Sequence, residues 1–200
     1  MDREWKRSRT KQTLLDATKE LVREKGCSKM TLNDIMERTG FSKGAIYHYV
    51  KSKHELLAWV LQERIEEIND RFFSKVKQGK KELDGPLQEI INNLPSLQDP
   101  HDVTNRIFIY LLGQSDDPAV REVVQRFYQH SIQLAKQWIA AGQQAGVIPL
   151  SINADQTAEL FTLISYGLRI RSNFTSSDSY AFTVDDFAAL MTGILQSKNE

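Results

Sequence analysis

Apolar residues recur at i, i+3, i+4 and i+7 along most of this chain, and strand-like alternation is absent. The pattern predicts helices throughout. From Thr10 to Lys25 one stripe holds Leu14, Ala17 and Leu21, with Leu15 and Val22 beside it, and Gly26 is expected to stop the helix. Leu32, Ile35 and Met36 form the next stripe. Thr31 is placed to cap that helix, Asp34 suits its positive first turn, and Gly40 fits a left-handed terminus. After Phe41, Ser42 is expected to cap a second short helix with Ile46, Tyr49 and Val50 facing inward.

The rest of the chain continues in the same manner. Lys53 to about Gln78 reads as one long helix through Leu56, Val60, Ile68 and Phe72, widened by Leu57, Leu61, Ile65 and Val76. The polar run from Gly79 to Gly85 breaks it; a brief helix then starts near Pro86 and ends before Pro95. Pro95 to His101 is expected to be a loop. Asp102 is placed to cap a helix through Ile107, Phe108, Tyr110 and Leu111. Asp116-Asp117-Pro118 restarts the chain into a long helix to about Ala145, holding Val120, Val123, Val124, Phe127, Leu134, Trp138 and Ile139. Gly146 is expected to cap it, and Pro149 prevents its continuation. Asn153 to Asn173 is another apolar helix, the Ser/Asn/Asp-rich run Ser172–Thr183 a mobile loop, and about Val184 to Leu195 a last helix. The expected fold is all-α: an N-terminal three-helix unit over residues 1–53 and a helical domain over 54–200.

Charge sharpens this division. The chain of 200 residues is formally neutral, and 40% of it is hydrophobic, enough for a folded core. Yet residues 1–53 hold 13 Lys+Arg against 7 Asp+Glu, while residues 54–200 hold 13 against 19. A basic head on an acidic body suggests that one end meets a polyanion. The segment Met1 to Arg9 adds Arg3, Lys6, Arg7 and Arg9. It reads equally as a frayed arm along that polyanion or as a solvated helix lead-in. Cys27 is the single cysteine, so no intrachain disulfide forms, which fits a reducing compartment; it reads as a small, semi-buried hydrophobe. There is no apolar run long enough for a membrane span, and the charged start does not resemble a signal peptide; the expectation is a cytoplasmic protein without a membrane partner.

Enzyme chemistry finds little support. No Walker or dinucleotide glycine loop occurs, no His-Glu-x-x-His run, and no nucleophile elbow. The four histidines, His48, His54, His101 and His130, lack metal-ligand spacing, and capping explains Asp116-Asp117. No catalysis, no cofactor and no metal are expected.

The second short helix is more informative. At 100° per residue Gly44, Tyr47, His48 and Lys51 fall together, opposite Ile46. A glycine inside a helix costs about 1 kcal/mol against Ala, and close approach to a partner surface is one reason to keep it. Lys43 stands at the helix start. A short helix with a bare cationic face is what a helix-turn-helix lays in the DNA major groove.

On Thr31, Ile35, Gly40, Ser42, Gly44, Tyr47, Tyr49, Lys53, Glu55 and Leu56, the chain resembles the DNA-binding signature of the TetR family of transcriptional regulators. The resemblance is close over residues 8–58 and extends further only as helix order and length. Val50 stands where the family often has Phe, apolar in either case. It implies a double-stranded DNA operator as partner, with Thr31, Tyr47 and Lys53 on phosphates, Ser42 capping and touching the backbone, and Lys43, Gly44, Ala45 and His48 at base edges. Lys43 to guanine O6/N7 is the expected direct readout.

The family resemblance also implies a homodimer through the last two helices, with Leu160, Ile164, Leu168, Phe187, Leu190, Met191 and Ile194 at the interface. The same pattern is compatible with both helices simply completing the core of one chain. A small-molecule inducer is implied in a cavity among the middle helices, with Trp59, Phe72, Arg106, Tyr110, Phe127, His130, Trp138, Phe161 and Tyr166 as its expected lining. Arg169 and Arg171 interrupt an apolar helix and fit either an anionic ligand or a polar rim of the dimer. The expectation is a ligand-released repressor on a palindromic operator, in which the long helix from Lys53 carries the signal. The alternative is a helix-turn-helix regulator governed by a protein partner or by abundance, with no small ligand.

Overall fold

Helix starts follow side-chain caps along most of this chain. The computed structural model describes residues 2–78, 83–174 and 180–196, with side chains from Arg7 onward. Among the described residues there are nine α-helices and one short 3-10 turn, and no strand. The helices are α1 (Asp2–Lys29), α2 (Leu32–Thr39), α3 (Lys43–Tyr47), α4 (Lys53–Lys77), α5 (Asp84–Ile91), α6 (Val103–Leu112), α7 (Pro118–Gln144), α8 (Ala154–Arg171) and α9 (Val184–Gln196). Asp117 accepts from the Ala119 amide at 2.8 Å to start α7, and Asn153 accepts from the Gln156 amide at 3.1 Å to start α8. Before α9, Thr183 and Asp186 form a reciprocal box: the Thr183 amide donates to the Asp186 carboxylate at 2.7 Å, and the Asp186 amide to the Thr183 hydroxyl at 3.2 Å.

Gly26 breaks α1, as its position after the stripe predicts. Its φ of 79° and ψ of 163° lie outside the helical region, and only a further turn follows to Lys29. The backbone is helical from Asp2, so this segment is a helix lead-in instead of an irregular arm. Two expectations lie partly outside the described residues: the polar break, at 79–82, and the Ser-rich connection before α9, at 175–179. Pro95–His101 is not simply a loop. Leu94–Gln98 winds into the 3-10 turn because Leu94 and Leu97 are both buried, and Ser96 Oγ donates to the Asn93 carbonyl at 2.7 Å.

The chain forms two compact units. The N-terminal unit is larger than residues 1–53: it comprises the chain up to Arg64 together with Val103–Phe127. There α1 packs on α2 and on α6. Its interior holds Leu14, Leu21, Ile35, Ile46, Leu56, Leu57, Ile107, Phe108 and Leu111, all at or below 2% exposure. The buried Thr18 hydroxyl is satisfied by the Leu14 carbonyl at 2.6 Å.

The second unit comprises Ile65–Asp102 and the chain from Tyr128 onward. The 3-10 turn packs against α8 and α9, and Phe161 meets Phe187 edge-on with ring centroids 6.0 Å apart. Phe72 stacks near Trp138, whose indole N–H donates to the Asn69 side-chain oxygen at 2.9 Å. Part of the expected dimer face also belongs to this core. Leu168, Phe187 and Met191 are buried in their own chain at 3%, 0% and 4%, and Ile164 and Ile194 pack partly against the same core. An apolar stripe buries first against the helices it is covalently tied to. Leu160 and Leu190, from the expected set, remain exposed, as do Leu163 and Ile170. Among the described residues no helix is long and apolar enough to cross a membrane.

At the end of α7, Gly142 lets the chain fold back. A Cβ there would stand 2.4 Å from Ile148 Cδ1 and 2.7 Å from Cγ1, and Ile148 is itself buried. Gly142→Ala is therefore expected to destabilise the protein in spite of its better helix propensity, by about 1–2 kcal/mol net, read from the urea midpoint.

Candidate nucleic-acid interface

The segment between α1 and α4 is held by local caps before any partner is considered. Thr31 and Asp34 form a full capping box: the Thr31 amide donates to the Asp34 carboxylate at 2.9 Å, and the Asp34 amide to the Thr31 hydroxyl at 3.2 Å. The hydrogen bond from Lys25, then those from Thr31, hold the Asp34 carboxyl down at about 2. Gly40, at φ 70°, ends α2 by donating its amide to the Met36 carbonyl. Ser42 then accepts from the Ala45 amide at 3.2 Å and starts α3.

The second helix is shorter than its sequence suggests. It ends at Tyr47, with His48 as the capping residue, because the Tyr49 amide turns back to the Ile46 carbonyl at 2.9 Å. The next cap lies only four residues on. Ser52 accepts from the Glu55 amide at 3.2 Å, while Glu55 accepts from the Lys51 amide at 2.7 Å, and α4 begins. Lys51 is thus exposed but beyond the helix, not on its outer face. Tyr49, expected inward, is half-buried, with its ring edge-on to His48 at 5.4 Å. Ile46 and Val50 are buried as expected, at 1% each.

What remains outside is the expected row. Ser42, Lys43, Gly44, Ala45, Tyr47 and His48 are all exposed, Tyr47 to 48%. Lys43 Nζ lies 5.8 Å from the Tyr47 ring centroid. A Cβ built on Gly44 meets nothing within 4 Å, so nothing within this chain requires a glycine there.

Lys53 departs from expectation. Its ammonium donates to the carbonyls of Cys27, Ser28 and Met30, each at 3.1 Å, so all three protons are already occupied within the chain. Thr31 is exposed, but its amide and hydroxyl both serve Asp34. Two further interlocks went unnoticed in the sequence. Arg38 reaches Glu20 at 2.8 Å and Glu24 at 2.7 Å, which holds the end of α2 on α1, and Lys25 pairs with Asp34. The signal was present only as charges of opposite sign on neighbouring helices.

The tentative ligand set is divided between the units. Trp59, Arg106, Tyr110 and Phe127 belong to the N-terminal unit. There Lys11 lies over Trp59, Arg106 abuts the Gly26 break, Tyr110 meets His54, and Phe127 packs on Phe108. Phe72, His130, Trp138, Phe161 and Tyr166 belong to the second unit. Tyr166 shares a hydrogen bond with Ser131 at 3.2 Å, and burial pushes its phenol up to about 12. His130 Nε2 is buried without a hydrogen-bond partner. Arg171 donates to the Phe182 carbonyl at 2.7 Å and stacks on Tyr180, so it ties the connection between α8 and α9.

Burial, and then the neighbouring Lys53, push the His54 imidazole below its ordinary value, against an upward pull from Asp117. A depressed group takes its proton more readily in the unfolded chain. Its contribution to stability is complete above the ordinary imidazole range and is lost as pH falls through it. The urea midpoint is expected to fall between about pH 7 and 5, and His54→Gln to flatten that slope. The Asp34 contribution is lost only lower, between its ordinary 3.8 and about 2.

Residues 14–60 match the family of bacterial regulatory proteins described as the tetR family. An uncharacterized HTH-type transcriptional regulator from the lacX 3′ region of Lactococcus lactis subsp. lactis is 36% identical over 56 residues, 28% of this chain and 29% of that one. The uncharacterized HTH-type regulator YfiR of Bacillus subtilis (strain 168) is 32% identical over 54 residues, 27% of this chain and 26% of its own length. The matched segment is thus less than a third of either relative. The whole fold is similar to a TetR-family regulator structure from Syntrophomonas wolfei, with a TM-score of 0.71 at 14% identity, covering 96% of this chain and 98% of that one. One from Rhodococcus sp. has a TM-score of 0.65 at 22% identity over 95% and 100% of the two chains. A transcriptional-regulator structure from Saccharomonospora viridis, in complex with choline, has a TM-score of 0.62 at 18% identity over 96% and 97%. Residues 14–60 thus carry the tetR-family sequence pattern, and the chain as a whole is similar in fold to solved structures of TetR-family regulators.

Proposed function

We propose that this chain is a transcriptional repressor that binds a palindromic DNA operator as a homodimer and is released by a small molecule. The observation that carries the DNA reading is the exposed row Ser42 to Ala45, Tyr47 and His48, aimed outward by the burial of Ile46 on the other side of α3 and of Val50 just beyond it. Lys43 and His48 supply donors for base edges, Tyr47 a hydroxyl for phosphate, and Gly44 a backbone that a duplex can approach.

The exposed apolar side chains Leu160, Leu163 and Ile170 fall within one face of α8, and Leu190 is exposed on α9. They support a two-fold contact between copies, which would present two reading heads to successive duplex turns. Support for a small ligand comes from the second unit, where His130 Nε2 is buried without a hydrogen-bond partner. The choline complex of the Saccharomonospora neighbour fits the same reading. Helices α4 and α7 each have residues in both units, so they are the routes by which ligand occupancy reaches the head. The ligand shifts binding only in so far as it prefers one arrangement over the other.

Selection of bound duplexes from a random pool tests the reading, followed by a screen for compounds that release them. Tyr47→Ala is expected to weaken binding to all sequences alike. Lys43→Ala is expected also to relax preference at one base pair per half-site, by roughly 1–3 kcal/mol. Gly44→Ala separates fold from function: it is expected to stabilise the protein by about 0.5–1 kcal/mol, since the added methyl meets nothing, and yet to weaken operator binding. Unchanged duplex binding in all three variants would rule the interface out.

A further inference from the structure

We infer that Lys53 is a positioning residue that fastens both ends of the reading segment together, with Tyr110 of α6 seated on it, and that it is not a phosphate ligand. The inference rests on the DNA-binding reading above, and its geometry lies entirely within the N-terminal unit.

Three facts converge on one ammonium group. Lys53 is the first residue of α4, immediately after the segment that holds α2 and α3. Its acceptors, the carbonyls of Cys27, Ser28 and Met30, stand immediately before that segment. Carbonyls at a helix end lack amide partners in their own helix and carry the negative end of its dipole, so a cation is the complementary group. The ammonium has three protons and meets three acceptors at 3.1 Å, which leaves none for a phosphate oxygen.

Tyr110 adds a third element. Lys53 Nζ lies 5.3 Å from the Tyr110 ring centroid, and the Tyr110 hydroxyl is 3.3 Å from His54 Nε2. The ring covers a face of the ammonium, and its hydroxyl is tied to the residue next to Lys53. The C-terminal end of α1, the start of α4 and the last turn of α6 are thereby joined at one cation. Everything from Thr31 to Ser52, including the exposed row of α3, is a loop closed at this point. Its orientation follows from the closure as much as from its own packing.

The two roles for Lys53 give different results in binding and in exchange. Wild type, Lys53→Met, Lys53→Arg and Lys43→Ala are titrated with a selected duplex across a salt series. Amide hydrogen exchange is measured on each without DNA. For a positioning role, Lys53→Met binds several-fold more weakly at every salt concentration, with the wild-type salt slope retained. Loss of a phosphate-neutralising cation would instead lower the slope by about 0.9 per protomer, and Lys43→Ala, at base edges, serves as the reference for a lost base contact. Lys53→Arg keeps the charge, but its planar fork does not converge on three carbonyls, so it too binds more weakly. Both Lys53 variants exchange faster at residues 27–31 and 48–56, and adding Tyr110→Leu to Lys53→Met has little further effect. A fall in slope for Lys53→Met, with full binding by Lys53→Arg and unchanged exchange, overturns the inference. If Lys53→Met does not fold, Lys53→Arg decides alone. If wild type binds no duplex at all, the DNA reading fails, and the exchange data still decide whether the closure exists.

Discussion

A helix of five residues has no stability of its own in water, because the cost of its first turn is not recovered over so short a run. The conformation of α3 therefore depends on tertiary burial, and in this chain that means Ile46 and Val50. Each is nearly inaccessible, and burying a side chain of this size contributes roughly 1.5–3 kcal/mol. The Ser42 cap adds about 1 kcal/mol. Together they leave one orientation in which Ile46 points inward, and the exposure of Lys43, Gly44, Tyr47 and His48 follows from it. The candidate interface is thus the reverse side of a packing decision.

Around that short helix the polar contacts act as alignment. Arg38 with Glu20 and Glu24, and Lys25 with Asp34, lie at the surface, where such pairs contribute little to net stability. Their use is angular. Arg38 fixes the end of α2 against α1, and the Thr31–Asp34 box fixes its beginning. With both ends of α2 set, the turn at Gly40 has few ways to deliver α3.

Patterns of short range were legible in the sequence, and contacts of long range were not. Gly26, Gly40, Ser42 and Asn153 announce helix ends because a cap acts within three or four residues. The early end of α3 is hidden in the sequence, since Ile46, Tyr49 and Val50 keep helical spacing even where the backbone has turned; the cap at Ser52 sets the limit. The role of Lys53 depends on carbonyls 23 to 26 residues away, which no local pattern encodes. The stripe on α9 was seen correctly as apolar, but periodicity cannot tell a chain's own core from a partner's surface. Phe187 and Met191 turned out to face the former. The expected ligand residues are aromatics on the middle helices together with Arg106 and His130, and side-chain character alone does not assign a residue to one unit or the other.

The basic character of the head also means something more specific once its contacts are known. Within residues 1–53 the excess of cations suggested a generally positive surface. In the structure the acids Asp16, Glu20, Glu24 and Asp34 are each matched by Lys19, Arg38 or Lys25 along α1 and α2, and Lys53 is turned to backbone carbonyls. These contacts engage four acids with three cations, so the excess of cations remains, and they decide which cations carry it. Lys43 and Lys51, on either side of the exposed end of α3, have no ion pair among the described residues. A polyanion that meets the exposed end of α3 therefore meets Lys43 and Lys51 next to hydrogen-bonding side chains. That arrangement favours orientation over sheer affinity, because each released counterion adds to binding of any sequence, whereas a cation held beside base-reading groups fixes which bases they reach.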